Sequence, residues 1–120
     1  MPIETIHLQA APHVELGVPG PKPTAVTEGQ QEASRELWSA DSLNVGIWEC
    51  SPGLFTAVRD GYHEVCQILA GRVTITAEGQ KPVEAGAGDT VVMPAGWKGT
   101  WEVHDTVRKT YITLDGVGGR

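Results

Sequence analysis

From Leu43 onward the chain is cut into short, evenly spaced runs rich in β-forming residues, and that rhythm restricts the fold more than any other feature. The runs are Leu43–Cys50, Leu54–Val58, His63–Leu69, Arg72–Ala77, Pro82–Glu84, Thr90–Met93, Gly99–His104 and Val107–Leu114. Between them fall Ser51-Pro52-Gly53, Asp60-Gly61, Ala70-Gly71, Glu78-Gly79, Ala85–Asp89 and Pro94-Ala95-Gly96. Gly and Pro at such sites supply the backbone angles of turns. Strands at this spacing predict an all-β sandwich or barrel. Val73-Thr74-Ile75-Thr76 alternates apolar and polar residues with the period of a half-buried strand, so Val73, Ile75 and Ala77 are expected to face inward. Glu78-Gly79 reads as a hairpin turn.

The first 42 residues have a different texture. Pro2, Pro12, Pro19, Pro21 and Pro23 alternate with Gly17, Gly20 and Gly29. Proline lacks a backbone N–H and fixes φ, so neither a ladder nor a helix is expected to run through 12–23. Residues 1–42 therefore read as an extended N-terminal arm with a short strand near Ile3–Leu8. A turn or two of helix is expected within Thr27–Trp38, where Thr27 can cap. Residues 43–120 read as the barrel.

Composition narrows the classes. With 120 residues, 40% of them apolar, the chain is long enough for one core. A net charge of −6 argues against nucleic acid and anionic membranes as partners. Cys50 and Cys66 are too few for a disulfide-stapled scaffold; a bridge between them is possible but not needed, and two reduced thiols are expected. The opening MPIETIHLQA has no basic region followed by an apolar run, and no stretch is as apolar as a membrane span. The expectation is a cytoplasmic protein.

Two spacings carry more specific information. Glu64 and Gly71 enclose six residues, and Gly88 and Pro94 enclose five, with Gly96 following after Ala95. In this order, with a hairpin-sized insert between them, the two segments resemble the two halves of the cupin signature. The strings from Trp48 to Phe55, Glu64 to Gly71, Pro94 to Trp101 and Val107 to Tyr111 look like the small cupins related to (S)-ureidoglycine aminohydrolase and to an ethanolamine-utilisation protein. The resemblance covers about residues 45–114 and implies an all-β double-stranded β-helix, the jelly-roll barrel. It specifies fold and branch, not activity.

The resemblance also implies a metal site of three imidazoles and a carboxylate. Glu64 stands at the carboxylate position. The His pair would fall near Ala57–Asp60, which reads Ala-Val-Arg-Asp, and the third His near Gly99 or Thr100. The ligand set of the ureidoglycine enzyme would fall near Val58, Asp60, Glu64 and Thr100, of which only Asp60 and Glu64 can bind a metal. No cofactor is assigned, and a metal is less expected than in a typical cupin.

Strand parity puts Glu64, Cys66 and Ile68 on one face and His63, Val65 and Gln67 on the other. Glu64 reads either as an acid or base with a raised pKa, or as a structural partner of Arg59, Lys98 or Arg108. Lys98 or Tyr62 would steady charge in a reaction at Glu64. Trp48, Cys66, Trp97, Trp101, Arg108 and Tyr111 are the expected ligand-binding residues, with Trp97 and Trp101 on one inward side. Core filling competes with that role for the tryptophans, inert packing for Cys66, and solvation for Lys98 and Lys109. His63 is expected at a surface or dimer interface; His7, His13 and His104 are incidental. Two functions follow. One is a metal-free module that binds a small molecule, as a homodimer in which the arm can add a strand to a neighbour. The other is a lyase, isomerase or amidohydrolase using Glu64.

Overall fold

The computed structural model describes residues 3–116. Eight strands follow a single 3₁₀ turn at Ala11–His13: β1 Gly20–Pro21, β2 Gln31–Ala40, β3 Leu43–Cys50, β4 Gly53–Val58, β5 Tyr62–Ala77, β6 Val83–Gly86, β7 Thr90–Met93 and β8 Lys98–Asp115. All pairings are antiparallel. Two strands are long because runs that read as separate in the sequence are continuous. The Ala70-Gly71 break lies inside β5, where the register against β8 shifts between Ile68 and Val73. Such irregularities bend a strand without ending it.

That bend makes the barrel. The first half of β5 pairs with β7 and with the second half of β8, which in turn pairs with β3. The second half of β5 pairs with β6 and with the first half of β8, which carries β4 on its other edge. Two sheets thus share the same two long strands and enclose Ile68, Val73, Met93, Trp101, Val103 and Val107. Gly71 sits where β5 and β8 cross. Its φ of 89° suits glycine, and a Cβ there would collide with the Thr106 carbonyl. As expected, Val73 and Ile75 are buried, and Glu78-Gly79 belongs to the turn between β5 and β6.

The N-terminal region departs from expectation in two ways. No strand forms near Ile3–Leu8, and these residues are exposed. The expected helix within Thr27–Trp38 is instead the start of β2, paired along its length with β3. The polar surface of Gln31–Ala40 offered helix formers, but the open edge of β3 offered a full ladder, and tertiary pairing decided. Residues 24–27 cross to the other sheet, where Ala25 bridges Phe55 and Val26 donates to the Leu54 carbonyl at 2.8 Å. Farther back, the arm lies on its own sheet: Arg108 donates to the carbonyls of Ala11 and Val14 at 3.1 and 2.9 Å. Cys50 and Cys66 are both free and buried.

Candidate functional site

Directly paired residues of a sheet share a face, so the register defines the inner wall. One inner row runs Ser34, Trp48, Lys109, Ile68; the next is Gly46, Tyr111, Cys66; the third is Asn44, Thr113, Glu64, Met93. Gly46 is required here, because a Cβ would meet the Tyr111 hydroxyl that lies across it. The rows place Glu64 and Lys109 on adjacent strands, two rows apart across the Tyr111–Cys66 row. Lys109 Nζ donates to Glu64 Oε2 at 2.6 Å, and the residues are 5% and 6% exposed.

A second cation reaches the same carboxylate. Arg59 Nε lies 3.2 Å from Glu64 Oε1. The distance makes an ion pair, but the N–H is misaligned and Nε has no hydrogen-bond partner. Arg59 is fixed through its backbone: its N–H donates to the Trp97 carbonyl and its own carbonyl accepts from Gly96, both at 2.8 Å. The Pro94-Ala95-Gly96 turn thus aims Arg59 at the site. Burial pushes the Glu64 carboxyl up, but the charges of Lys109 and Arg59 and the Lys109 hydrogen bond outweigh it and hold the group below its ordinary range.

Aromatic rings complete the enclosure. Lys109 Nζ lies 4.5 Å from the Trp48 ring centre and 4.4 Å from that of Trp101, a cation held between two π faces. Trp48 packs edge-on against both Phe55 and Trp101, with ring centres 5.7 and 5.9 Å apart. Trp48 Nε1 donates to Glu32 at 2.8 Å, and Glu32 pairs with Lys22 at 2.9 Å. Lys22, between β1 and the crossing segment, stands 4.4 Å over Phe55. A cleft of about 470 Å³ opens beside this assembly; Trp48, Phe55, Tyr62, Tyr111 and Thr113 are among its walls.

The expected site residues divide. Glu64, Trp48, Tyr62 and Tyr111 line the cleft. Trp101 is fully buried behind them as core. Trp97 lies on the turn before β8, against Arg59, and borders a different depression together with Lys98. Lys98 is exposed and is no partner of Glu64. Arg108 points outward to Glu49 at 3.0 Å, one residue out of phase with Lys109. Cys66 is 1% exposed and packed in the core, and burial pushes its thiol up to about 11. Asp60 is exposed on the turn between β4 and β5. His63 accepts from the Ala95 N–H at 2.8 Å and braces the Pro94 turn. Of the two readings of Glu64, the pairing with Arg59 is the one observed, without Lys98 or Arg108, and the raised pKa of the other reading is corrected to a lowered one because two cations surround the carboxylate. Sequence reasoning missed Lys22, Glu32 and Phe55, and read Lys109 as solvated. The signal for Lys109 was its parity with Val107 and Tyr111.

The residues do not fit a metal. Among those described, no three His, Cys, Asp or Glu side chains gather to hold one. The one carboxylate at the expected place already faces an ammonium and a guanidinium, and a divalent ion there would meet two like charges.

Two antiparallel sheets sharing long bent strands around a rim-opening cleft define a cupin barrel. The chain belongs to the EutQ-like cupin domain family, whose pattern it matches over residues 39–111. It is similar to the EutQ protein of Clostridium difficile, at 22% identity and a TM-score of 0.65, over 78% of this chain and 68% of that one. A putative ethanolamine utilization protein Q from Salmonella typhimurium gives 22% identity and a TM-score of 0.67, over 81% and 78%. A DUF861 family protein from Thermotoga maritima is 37% identical over 54% of this chain and 73% of that one, with a TM-score of 0.51. No curated protein matches the sequence.

Proposed function

We propose that this cupin binds a small molecule, without a metal, in the cleft beside Glu64. The observation that carries the reading is the ionised Glu64 locked between Lys109 and Arg59 at the wall of an aromatic cleft large enough for a metabolite. An acid–base role asks for a carboxyl poised near neutrality, whereas Glu64 is held below its ordinary range. Of the two expected helpers, Lys98 lies elsewhere and only Tyr62 shares the cleft with Glu64. The aminohydrolase reaction of the ureidoglycine enzyme is not taken up, since Asp60 and Glu64 do not converge on one ion.

A ligand-observed NMR fragment screen tests the reading, run on chelator-treated protein and on Thr113→Trp, which fills the cleft from its wall. Fragments are expected to bind the wild type and to be displaced from Thr113→Trp. Binding unaffected by that substitution, or binding only after a divalent metal is added, contradicts it.

A further inference from the structure

The charges at the cleft do not balance. Lys109 and Arg59 share the single carboxylate of Glu64, and all three residues are more than nine-tenths buried. Two positive groups and one negative leave one positive charge over. Lys22 cannot take part in that sum, because Glu32 already pairs it. Asp115, the other carboxylate of the lining, is exposed and accepts from Asn44 at 2.8 Å, and Glu36, which faces Tyr111 from β2, is exposed and outside the lining. An uncompensated buried charge is costly. Aromatic faces soften it: the Arg59 guanidinium carbon lies 5.9 Å from the ring centres of both Tyr62 and Trp97. Rings stabilise a cation but do not neutralise it. The excess is placed at Arg59, whose Nε is buried without a hydrogen-bond partner while the residue lines the cleft.

We propose that the cleft is a receptor for a small organic monoanion, a carboxylate on a planar or apolar body, which pairs with Arg59 and supplies the missing negative charge. The proposal rests on the small-molecule reading above and narrows it to one charge class. A single excess charge matches a monoanion; a phosphate dianion would reverse the imbalance. The planar guanidinium fork suits a carboxylate in two-point contact. The body has its place too. A cleft of about 470 Å³ is far larger than an inorganic ion needs, and the half-buried rings of Tyr62 and Tyr111 line it, with Trp48 and Phe55 buried behind.

Three isosteric probes separate charge from shape: benzoate, benzamide and benzamidinium, titrated calorimetrically into the full chain. Benzoate is expected to bind at least about tenfold more tightly than benzamide, the scale of one charge-assisted hydrogen-bonded contact. Benzamidinium is expected not to bind, and inorganic phosphate to bind more weakly than benzoate. Arg59→Gln leaves a neutral Glu64–Lys109 pair, so it should bring benzoate down to the level of benzamide. Arg59→Lys keeps the charge without the fork and should retain part of the preference, which guards against a folding defect in the first variant. Thr113→Trp should abolish binding of benzoate. If benzamide or benzamidinium binds as well as benzoate and Thr113→Trp blocks it, the charge assignment is overturned while the small-molecule reading stands. If benzoate keeps its preference in Arg59→Gln, or no probe binds, the assignment is likewise overturned, and the fragment screen decides the broader reading separately.

Discussion

Residues 108 and 109 are neighbours in sequence, both basic, both paired with a glutamate, yet they belong to two different regions of the molecule. Arg108 is on the outer face of β8, where it meets Glu49 at 3.0 Å and holds the arm through the carbonyls of Ala11 and Val14. Lys109 is on the inner face, where it meets Glu64 at 2.6 Å between two tryptophans. The side chains of the outer pair are 14% and 36% exposed, and those of the inner pair 6% and 8%. The same chemistry therefore does two jobs. In water-accessible surroundings the pair is worth little by itself and serves to position a segment. In the interior, removing one partner strands a charge.

Substitutions sharpen that contrast. The largest effect is expected from Glu64→Ala, which leaves Lys109 and Arg59 buried with no anion; unfolding by urea should show a loss of about 3–5 kcal/mol. Lys109→Met is expected to cost less, about 1–3 kcal/mol by the same measurement, because Arg59 still answers Glu64. Arg108→Ala should cost about 1 kcal/mol or less, and its signature should be local: faster proteolysis within residues 3–18 with the barrel intact. A global loss at Arg108 equal to that at Glu64 would break the distinction between the faces.

The acid side of the pH profile follows from the same difference. The folded-state pKa of Glu64 lies below its unfolded value of about 4.5. Its contribution is therefore fully present above that value, and it is lost as pH falls through the folded-state pKa. Chemical denaturation at a series of pH values should show stability declining below about pH 4.5 in the wild type, and a shallower decline in Glu64→Gln.

The fold was legible because its signals are local. Gly71, Gly88, Pro94 and Gly96 mark bends and turns whose spacing survives any change of side chains elsewhere, and Thr90–Met93 and Leu43–Cys50 are strands with the predicted bounds. The long strands β5 and β8 were not legible as such, since a bulge and a turn begin with the same residues. Gln31–Ala40 was misread because its pairing with β3 is a property of the tertiary structure. The site was half legible. Glu64 and Trp48 were found from motif and parity. Arg108 was chosen over Lys109 although Val107 and Tyr111 share the parity of Lys109, and an error of one residue in a strand exchanges the faces. Lys22 follows β1 and Glu32 lies at the start of β2, and no spacing in the sequence announces that these two short stretches pair with each other and bring their charges to Trp48.

The central claim is that Glu64 is an ionised anchor held by two cations, not a metal ligand or a neutral acid. A carboxyl-detected ¹³C NMR titration of Glu64 in the full chain, with Glu64→Gln assigning the resonance, tests it most directly. The account predicts a transition below the ordinary value of about 4.5, moving upward in Lys109→Met. A transition above that value in the wild type, or one that Lys109→Met leaves in place, would contradict it.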